Sequence, residues 1–479
     1  MGVTETEAGT GATRAAAEPG HDVRRWYALV VCLTAGFMTL LDVSIVNVAL
    51  PAIQSGLAAP PVALAWVVSG YALTFGLVLV PSGRLGDDWG RSRMFVIALV
   101  AFTGASALAG FSTGPVWLVV ARLLQGMAGG MLNPQILGLI QQLFRGRERG
   151  KAFGLFGAVV GVSTAVGPLL GGLIIHAFGS EQGWRWVFFV NVPIGLAALV
   201  FASRWLPRSV RSSRAGGLDL VGVLLLAGGL LCLLLPLVEH GSGAGPWYLL
   251  VGSPVLLAVF VLWERRLRDR GRAPLVNLRL FRIRSYAFGS TLGLVYFAGF
   301  TGIFFVLAMY LQRGLGYSPL QAGLAMTPFA VGSAISSALG GRVVHRFGRK
   351  LVVVGLCAAL LGLLATDLLL AGHPGPWAGL VIALPQLIAG AGSGLVISPN
   401  QTVTLSEVDT VHGSTAAGVQ QTGQRIGAAL GTASASGLFF SALGRGGYDD
   451  AITLGLVASV VFVALALLVG ITELWLERR

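Results

Sequence analysis

One aspartate and two arginines interrupt stretches that are otherwise apolar, and chemistry is most readily placed on them. Asp42 stands in LDVSIVNVALP at 41–51, about 16 residues after Trp26. At about 1.5 Å per residue this is roughly 24 Å along a helix. A carboxylate at that depth in a hydrocarbon layer is costly and by default marks a function. The chemistry it suits is proton exchange, because one proton removes its charge. Arg122 lies about seven residues into another apolar stretch, where a guanidinium needs a partner or a water-filled cavity. A guanidinium that approaches and leaves a carboxyl ties protonation to conformation. Each residue also has a plain structural reading: an acid bonded between helices, an arginine bonded to backbone carbonyls. Asp42 is the evident acidic candidate for Arg122, and the sequence leaves open whether they meet. Arg425, among Gln420, Gln421 and Gln424, is either a substrate or gating contact or a side chain that snorkels inward from the first turns of its span. Asn133, Gln135, Asn400 and Gln401 are polar groups within apolar stretches and hence candidate cavity donors. Phe304, in a stripe with Phe297, Phe300 and Tyr310, is a candidate cavity wall, with packing or lipid contact as the alternative. Asp367, near a span end, reads as structural.

The elements that must position these residues are membrane helices. Of 479 residues, 55% are hydrophobic and 11% charged, and the mean hydropathy is +0.79. Soluble domains carry about 25% charged residues, so an ordinary soluble enzyme is excluded, and so is a disordered chain. About 20 apolar residues span a bilayer core. Fourteen such stretches can be counted, from 27–50 to 450–474, which places both termini on one side. The run after Trp26 ends in LDVSIVNVALP rather than a small-residue cleavage site, so it reads as a first span. With the N-terminus inside, the inner segments hold 28 of the 33 basic residues and the outer loops three, Arg185, Arg313 and Arg445. That asymmetry predicts cytoplasmic termini. It also accounts for the net charge of +13 without nucleic acid. Cys32, Cys232 and Cys357 show no metal or disulfide spacing. Gly110–Gly114 matches G-x-S-x-G but falls in a short turn between spans, and no phosphate-binding loop precedes either lysine.

The chain repeats itself. GRLGDDWGRSR at 83–93 recurs as GRVVHRFGRK at 341–350, an offset of 258 residues. The same offset carries the span at 154 onto the one at 413. The chain therefore reads as a cytoplasmic tail at 1–26, a six-helix bundle at 27–206, two inserted helices with basic linkers at 207–284, a second six-helix bundle at 285–474 and a short C-terminus at 475–479. Parallel halves of this kind place a substrate site at their interface near mid-membrane. In the first copy of the loop, Gly83 and Gly90 permit close approach and a tight turn. Asp87 can accept from a helix N-terminus or an arginine, and Arg91 completes the loop.

At these residues the chain resembles the major facilitator superfamily. The loop at 83–93 is similar to the superfamily's signature. LDVSIVNVALP is similar to the first-span motif of its fourteen-span drug/proton antiporters of the EmrB/QacA type. ARLLQGMAGG at 121–130 resembles the fourth-span motif, GVSTAVGPLLGG at 161–172 the fifth-span antiporter motif, and WRWVFFVNVPIG at 184–195 the opening of the sixth span. The resemblance covers about residues 27–474. Asp88, Ser163 and His345 depart from the usual pattern. The resemblance implies a major-facilitator fold, all-α, with fourteen transmembrane helices. It also implies proton coupling at Asp42 and Arg122, a conformational-switch loop at Gly83, Asp87, Gly90 and Arg91, and an antiporter motif at Gly167, Pro168, Gly171 and Gly172.

The expected function is export of a small organic molecule against an inward proton, by alternating access in a bacterial cytoplasmic membrane. No cofactor, metal or nucleic acid is expected, and a monomer suffices. A single deep acid favours a neutral or zwitterionic substrate over a cation. A nutrient symporter shares the fold and differs in transport direction. A non-transporting sensor would show no proton-linked flux, and the short loops leave little room for a receptor domain.

Overall fold

Glycine and proline punctuate a chain that is otherwise long apolar helix. Pro61 and Pro115 each occupy a first helical turn, where the missing N–H has no intrahelical partner to lose. Ser318 and Gln321 form a reciprocal capping box, which satisfies two of the free donors at a helix start. Gly90 (φ 102°) and Gly348 (φ 51°) each join two helices end to end at backbone angles that a side chain rarely adopts. These two glycines occupy the same place in the repeated loop.

The computed structural model describes residues 23–179, 181–208, 219–239, 247–372 and 375–477. Seven helices form the first half: α1 (Val23–Leu57), α2 (Pro61–Trp89), α3 (Arg91–Gly110), α4 (Pro115–Leu143), α5 (Gly146–Phe178), α6 (Gly183–Phe189) and α7 (Asn191–Trp205). An inserted pair follows, α8 (Leu220–Glu239) and α9 (Leu249–Asp269). The second half holds α10 (Arg284–Met309), α11 (Pro319–Phe347), α12 (Arg349–Ala371), α13 (Ala378–Val381), α14 (Ala383–Thr404), α15 (Gly413–Gly446) and α16 (Tyr448–Glu477). Among the described residues, thirteen helical segments are long and apolar enough to cross a membrane. The expected eighth span falls on α9, whose last turns carry Glu264, Arg265, Arg266, Arg268 and Asp269 and lower its hydropathy. The expected sixth span is two helices, α6 and α7, broken at Val190.

Hydropathy finds the apolar centre of a helix and not its ends. The first span reads as 27–50, yet α1 runs from Val23 to Leu57. Arg24 and Arg25 of the expected tail are helical, and Arg25 pairs with Glu148 of α5 at 2.8 Å. The rest of the tail and much of the first basic linker lie outside the described residues.

The first half packs around Met38, Tyr71, Phe95, Phe102 and Phe153, the second around Tyr296, Leu356, Phe439 and Leu456. On the face that carries both ends of the described chain, here the terminal face, Tyr286, Leu405, Ala416 and Ala417 of the second half join the first half's core. The halves meet along two seams, α2 against α15 and α5 against α11. Glycines bring backbones together there. A Cβ on Gly418 would sit 2.5 Å from the Leu79 carbonyl, and one on Gly341 would sit 2.3 Å from the Gly150 carbonyl. The inserted pair lies against α2 and α15 through Leu226, Leu230, Phe260, Val80 and Val419.

Candidate functional site

Asp42 and Arg122 meet inside the first half. Arg122 Nη1 donates to Asp42 Oδ2 at 2.5 Å, and both side chains are buried. The approach depends on α4 lying directly on α2. A Cβ on Gly126 would collide with the Tyr71 carbonyl, and one on Gly130 with the Phe75 carbonyl. The glycines of ARLLQGMAGG thus bring α4 close enough for Arg122 Nε to donate to the Val67 carbonyl at 3.0 Å. The guanidinium lies 4.2 Å from the centre of the Tyr71 ring, a favourable place for a cation.

Two amides complete the pair. Gln125 accepts from Arg122 at 2.8 Å and donates to Asp42 Oδ1 at 2.8 Å. Asn191 donates to the same oxygen at 3.0 Å. Both also donate to Ser106, whose hydroxyl donates to the Phe188 carbonyl. The break at Val190 makes Asn191 the first residue of α7 and sets it beside the acid. Asp42 therefore accepts from three side chains, only one of them charged. A buried ion pair offsets its desolvation only when such added bonds satisfy it. Gln125, Asn191 and Ser106 were not singled out from sequence. Gln125 had a signal, since it lies three residues after Arg122 on the same helix face.

The loop at 83–93 spans the seam on the terminal face. Asp87 accepts from Arg91 Nη2 at 2.7 Å. It also accepts from the backbone N–H groups of Ser414 and Thr415, at 3.1 and 2.8 Å, and from the Thr415 hydroxyl. These are free donors at the start of α15, where a carboxylate is favoured. Arg91 donates to the Gly138 carbonyl at 2.8 Å and to the Thr410 carbonyl. Gly83 lies so close to Ser414 that a Cβ would reach its carbonyl at 2.5 Å. Asp88, the departure from the usual pattern, pairs with Arg84.

The fifth-span glycines divide their contacts. Gly167 and Gly171 pack on Ser44 and Ile45 of α1, and Gly157 and Gly161 pack across the seam on Ser337 and Ala330. Gly172 faces open space, so close packing does not call for a glycine there. Beyond Gly161, away from the terminal face, the seam opens into a cavity of about 390 Å³. Ser44 and Asn47 of α1, Thr164 and Pro168 of α5, Phe304 and Gln312 of the second half, and Met326 and Thr327 of α11 line it. Phe304 stands against Phe300 and Phe329.

Of the seven expected cavity residues, Phe304 lines this space. Gln135 donates to the Ser82 carbonyl and fills the gap left by Gly86. Asn133 donates to Gly129 of its own helix, and Gln401 to Gln420. Asn400 donates to the Gly289 carbonyl and accepts from Arg349. The structure gives these four polar groups partners within the helix packing, which corrects the expectation that they face the cavity. Gln424 lies beside Gly293 of α10, and Arg425 reaches across to α2. Arg349 is the repeat equivalent of Arg91, and it forms a buried ion pair with Glu473 of α16, with Nε and Oε2 2.6 Å apart. Glu473 was not anticipated, because it stands in the charged end of the last apolar run.

The comparisons with known proteins agree with this architecture. The chain is 40% identical over 442 residues to a probable actinorhodin transporter of Streptomyces coelicolor, covering 91% of this chain and 76% of that protein. It is 38% identical over 425 residues to the puromycin resistance protein pur8 of Streptomyces alboniger, covering 87% and 82%. Its fold matches the crystal structure of the human organic anion transporter MFSD10 with a TM-score of 0.69, over 93% of this chain and 99% of that one. At 15% identity, that likeness speaks to the fold alone. The Major Facilitator Superfamily profile matches residues 32–432, and with the two pseudo-repeated halves and the loop at 83–93 across their seam, the chain belongs to that superfamily as a multi-pass membrane transporter.

Proposed function

We propose that the protein exports small organic molecules of the antibiotic or drug type, driven by protons entering through Asp42, with the two halves rocking about the cavity between them. The observation that carries this reading is the buried Asp42–Arg122 pair held by Gln125 and Asn191. Protonation of Asp42 removes the charge that Arg122 neutralises and leaves the guanidinium to its carbonyl and ring contacts. Two residues along α1, Ser44 both packs on Gly167 and lines the cavity. A shift of α1 on protonation therefore reaches the cavity wall directly. The relatives named for actinorhodin transport and puromycin resistance support a transported substrate of the antibiotic type.

The arginine-rich terminal face is cytoplasmic in this reading, and the membrane is a bacterial cytoplasmic membrane. The loop contacts of Asp87 and Arg91 then close the cytoplasmic side while the cavity lies toward the outside. Alternating access requires those contacts to part so that the substrate enters from within. No cofactor is needed; each proton entering down the potential contributes about 2.3 kcal/mol per 100 mV. A single chain contains both halves and the cavity, so a monomer suffices.

The test is proton flux in inside-out vesicles that hold a pH gradient, with antibiotics and dyes added to wild type and Asp42→Asn. A compound-dependent collapse in wild type that disappears in the variant is the expected result. Collapse that persists unchanged in Asp42→Asn overturns the coupling assignment.

A further inference from the structure

Among the described residues, Arg425 is a cation without a counter-ion. It lies 12 residues into the 34-residue α15, about 18 Å along the helix. Seven residues earlier, Gly418 touches Leu79 of α2. Arg425 continues along the same seam to Phe75, its guanidinium 4.3 Å from the ring centre. Phe75 is 14 residues before the end of α2 at Trp89, so the side chain points along the seam toward mid-helix and does not snorkel to the terminal face. Among the described residues, it forms no ion pair and no hydrogen bond. Even so, part of its surface stays accessible.

The contrast with the other deep arginines is chemical. Arg122 has Asp42, Arg91 has Asp87 and Arg349 has Glu473. Arg122 and Arg425 lie over neighbouring rings, Tyr71 and Phe75, whose centres are 6.0 Å apart on α2. Among the described residues, only the first of the two pairs with an acid. A guanidinium buried in a membrane protein needs a partner, and ring faces supply a fraction of what a carboxylate does.

Resting on the exporter reading above, we propose that Arg425 receives an anionic oxygen of the substrate, so that the transported class is aromatic or apolar molecules bearing a carboxylate or another ionised acid. This replaces the neutral or zwitterionic substrate expected from the single deep acid. The planar guanidinium suits bidentate contact with such a group, and Phe75 holds it in place for an incoming ligand. A cationic substrate meets repulsion here, because Asp42 is occupied by Arg122, Gln125 and Asn191.

The test uses three fluorescent probes of one shape and different charge: pyrenebutyrate, its methyl ester and the corresponding pyrene butylamine. Binding to the full-length protein in lipid nanodiscs is read by energy transfer from tryptophan to pyrene, with empty discs subtracted. The acid is expected to bind saturably, and the ester and amine about ten-fold or more weaker. Arg425→Gln is expected to bring the acid down to the level of the ester, and Arg425→Lys to keep most of the preference. Should Arg425→Gln fail to fold, judged by its melting temperature and elution, Arg425→Lys carries the test through retained preference for the acid. A wild type that binds the ester or amine as well as the acid, or an Arg425→Gln variant that binds the acid unchanged, overturns the proposal. An acid that binds through Arg425 but drives no flux leaves the anion site standing and counts against export. Flux driven by the amine and indifferent to Arg425→Gln removes the anion site and leaves export standing.

Discussion

Gln125 shows how much of the proposed coupling site rests on uncharged residues. Its amide bridges Arg122 and Asp42, accepting from one and donating to the other. Gln125→Ala removes both bonds and leaves Asp42 with two side-chain donors. A hydrogen bond to a charged group contributes about 1.5–3 kcal/mol, so the melting temperature in detergent is expected to fall measurably. Proton-coupled transport is expected to fall as well, since the Gln125 amide links Arg122 to Asp42. Unchanged compound-driven proton flux in the folded variant would reduce Gln125 to a packing role. Gln135 makes the opposite point. It looks like a cavity donor in sequence, yet its side chain is spent on the Ser82 carbonyl and on the space beside Gly86.

At the scale of elements, the start of α15 is held by the end of α2. Asp87 accepts from two N–H groups at that helix start, so its charge acts on the helix dipole as well as on single bonds. Charge at a helix N-terminus contributes up to about 2 kcal/mol in a partly buried setting. Asp87→Asn keeps the shape and loses the charge. We expect the terminal face to open about ten-fold more often. Spin labels at Arg147 and Glu407, both exposed on that face, would report a longer distance population. A distance distribution equal to wild type would show that Asp87 does not hold the seam. The glycines at 83 and 341 belong to the same argument, because each allows a backbone contact across a seam that a methyl group would separate.

For the whole molecule, the two halves carry different charge arrangements at matching places. The loop arginine of the first half, Arg91, is tied across the seam through Asp87, which holds the start of α15, and through the Thr410 carbonyl just before that helix. Its equivalent, Arg349, is tied inward to Glu473 and Asn400 of its own half. The first contact crosses the seam between the halves, and the second lies within one half. Removing one partner of a buried pair costs about 3–5 kcal/mol. Glu473→Ala is therefore expected to lower the melting temperature strongly in purified protein. The same variant is expected to leave the label distances of the surviving folded fraction unchanged. A large change in those distances would make Arg349–Glu473 part of the switch.

Much of this protein is legible along the chain, and the reason is that membrane burial is a local property. Apolar runs of bilayer length reveal the spans, the arginine asymmetry suggests an orientation, and the repeated GR…GR loop reveals two halves. Gly90 and Gly348 could be read as tight joints because only glycine suits such angles. Asp42 and Arg122 stood out because charge is rare in an apolar run. Their meeting, 80 residues apart, was decided by tertiary structure alone, since it depends on how closely α4 lies on α2 and where α7 begins. The same holds for Asn191, for the seating of Asp87 on α15 and for the burial of Glu473. The tertiary structure also sorted the polar residues within the spans. Gln135 and Asn400 have hydrogen-bond partners within the packing, while among the described residues Arg425 has a ring face and no ion-pair or hydrogen-bond partner. Helical periodicity tells which residues share a face, but a hydrogen-bond partner on another helix is set by helix crossing, which no local pattern encodes.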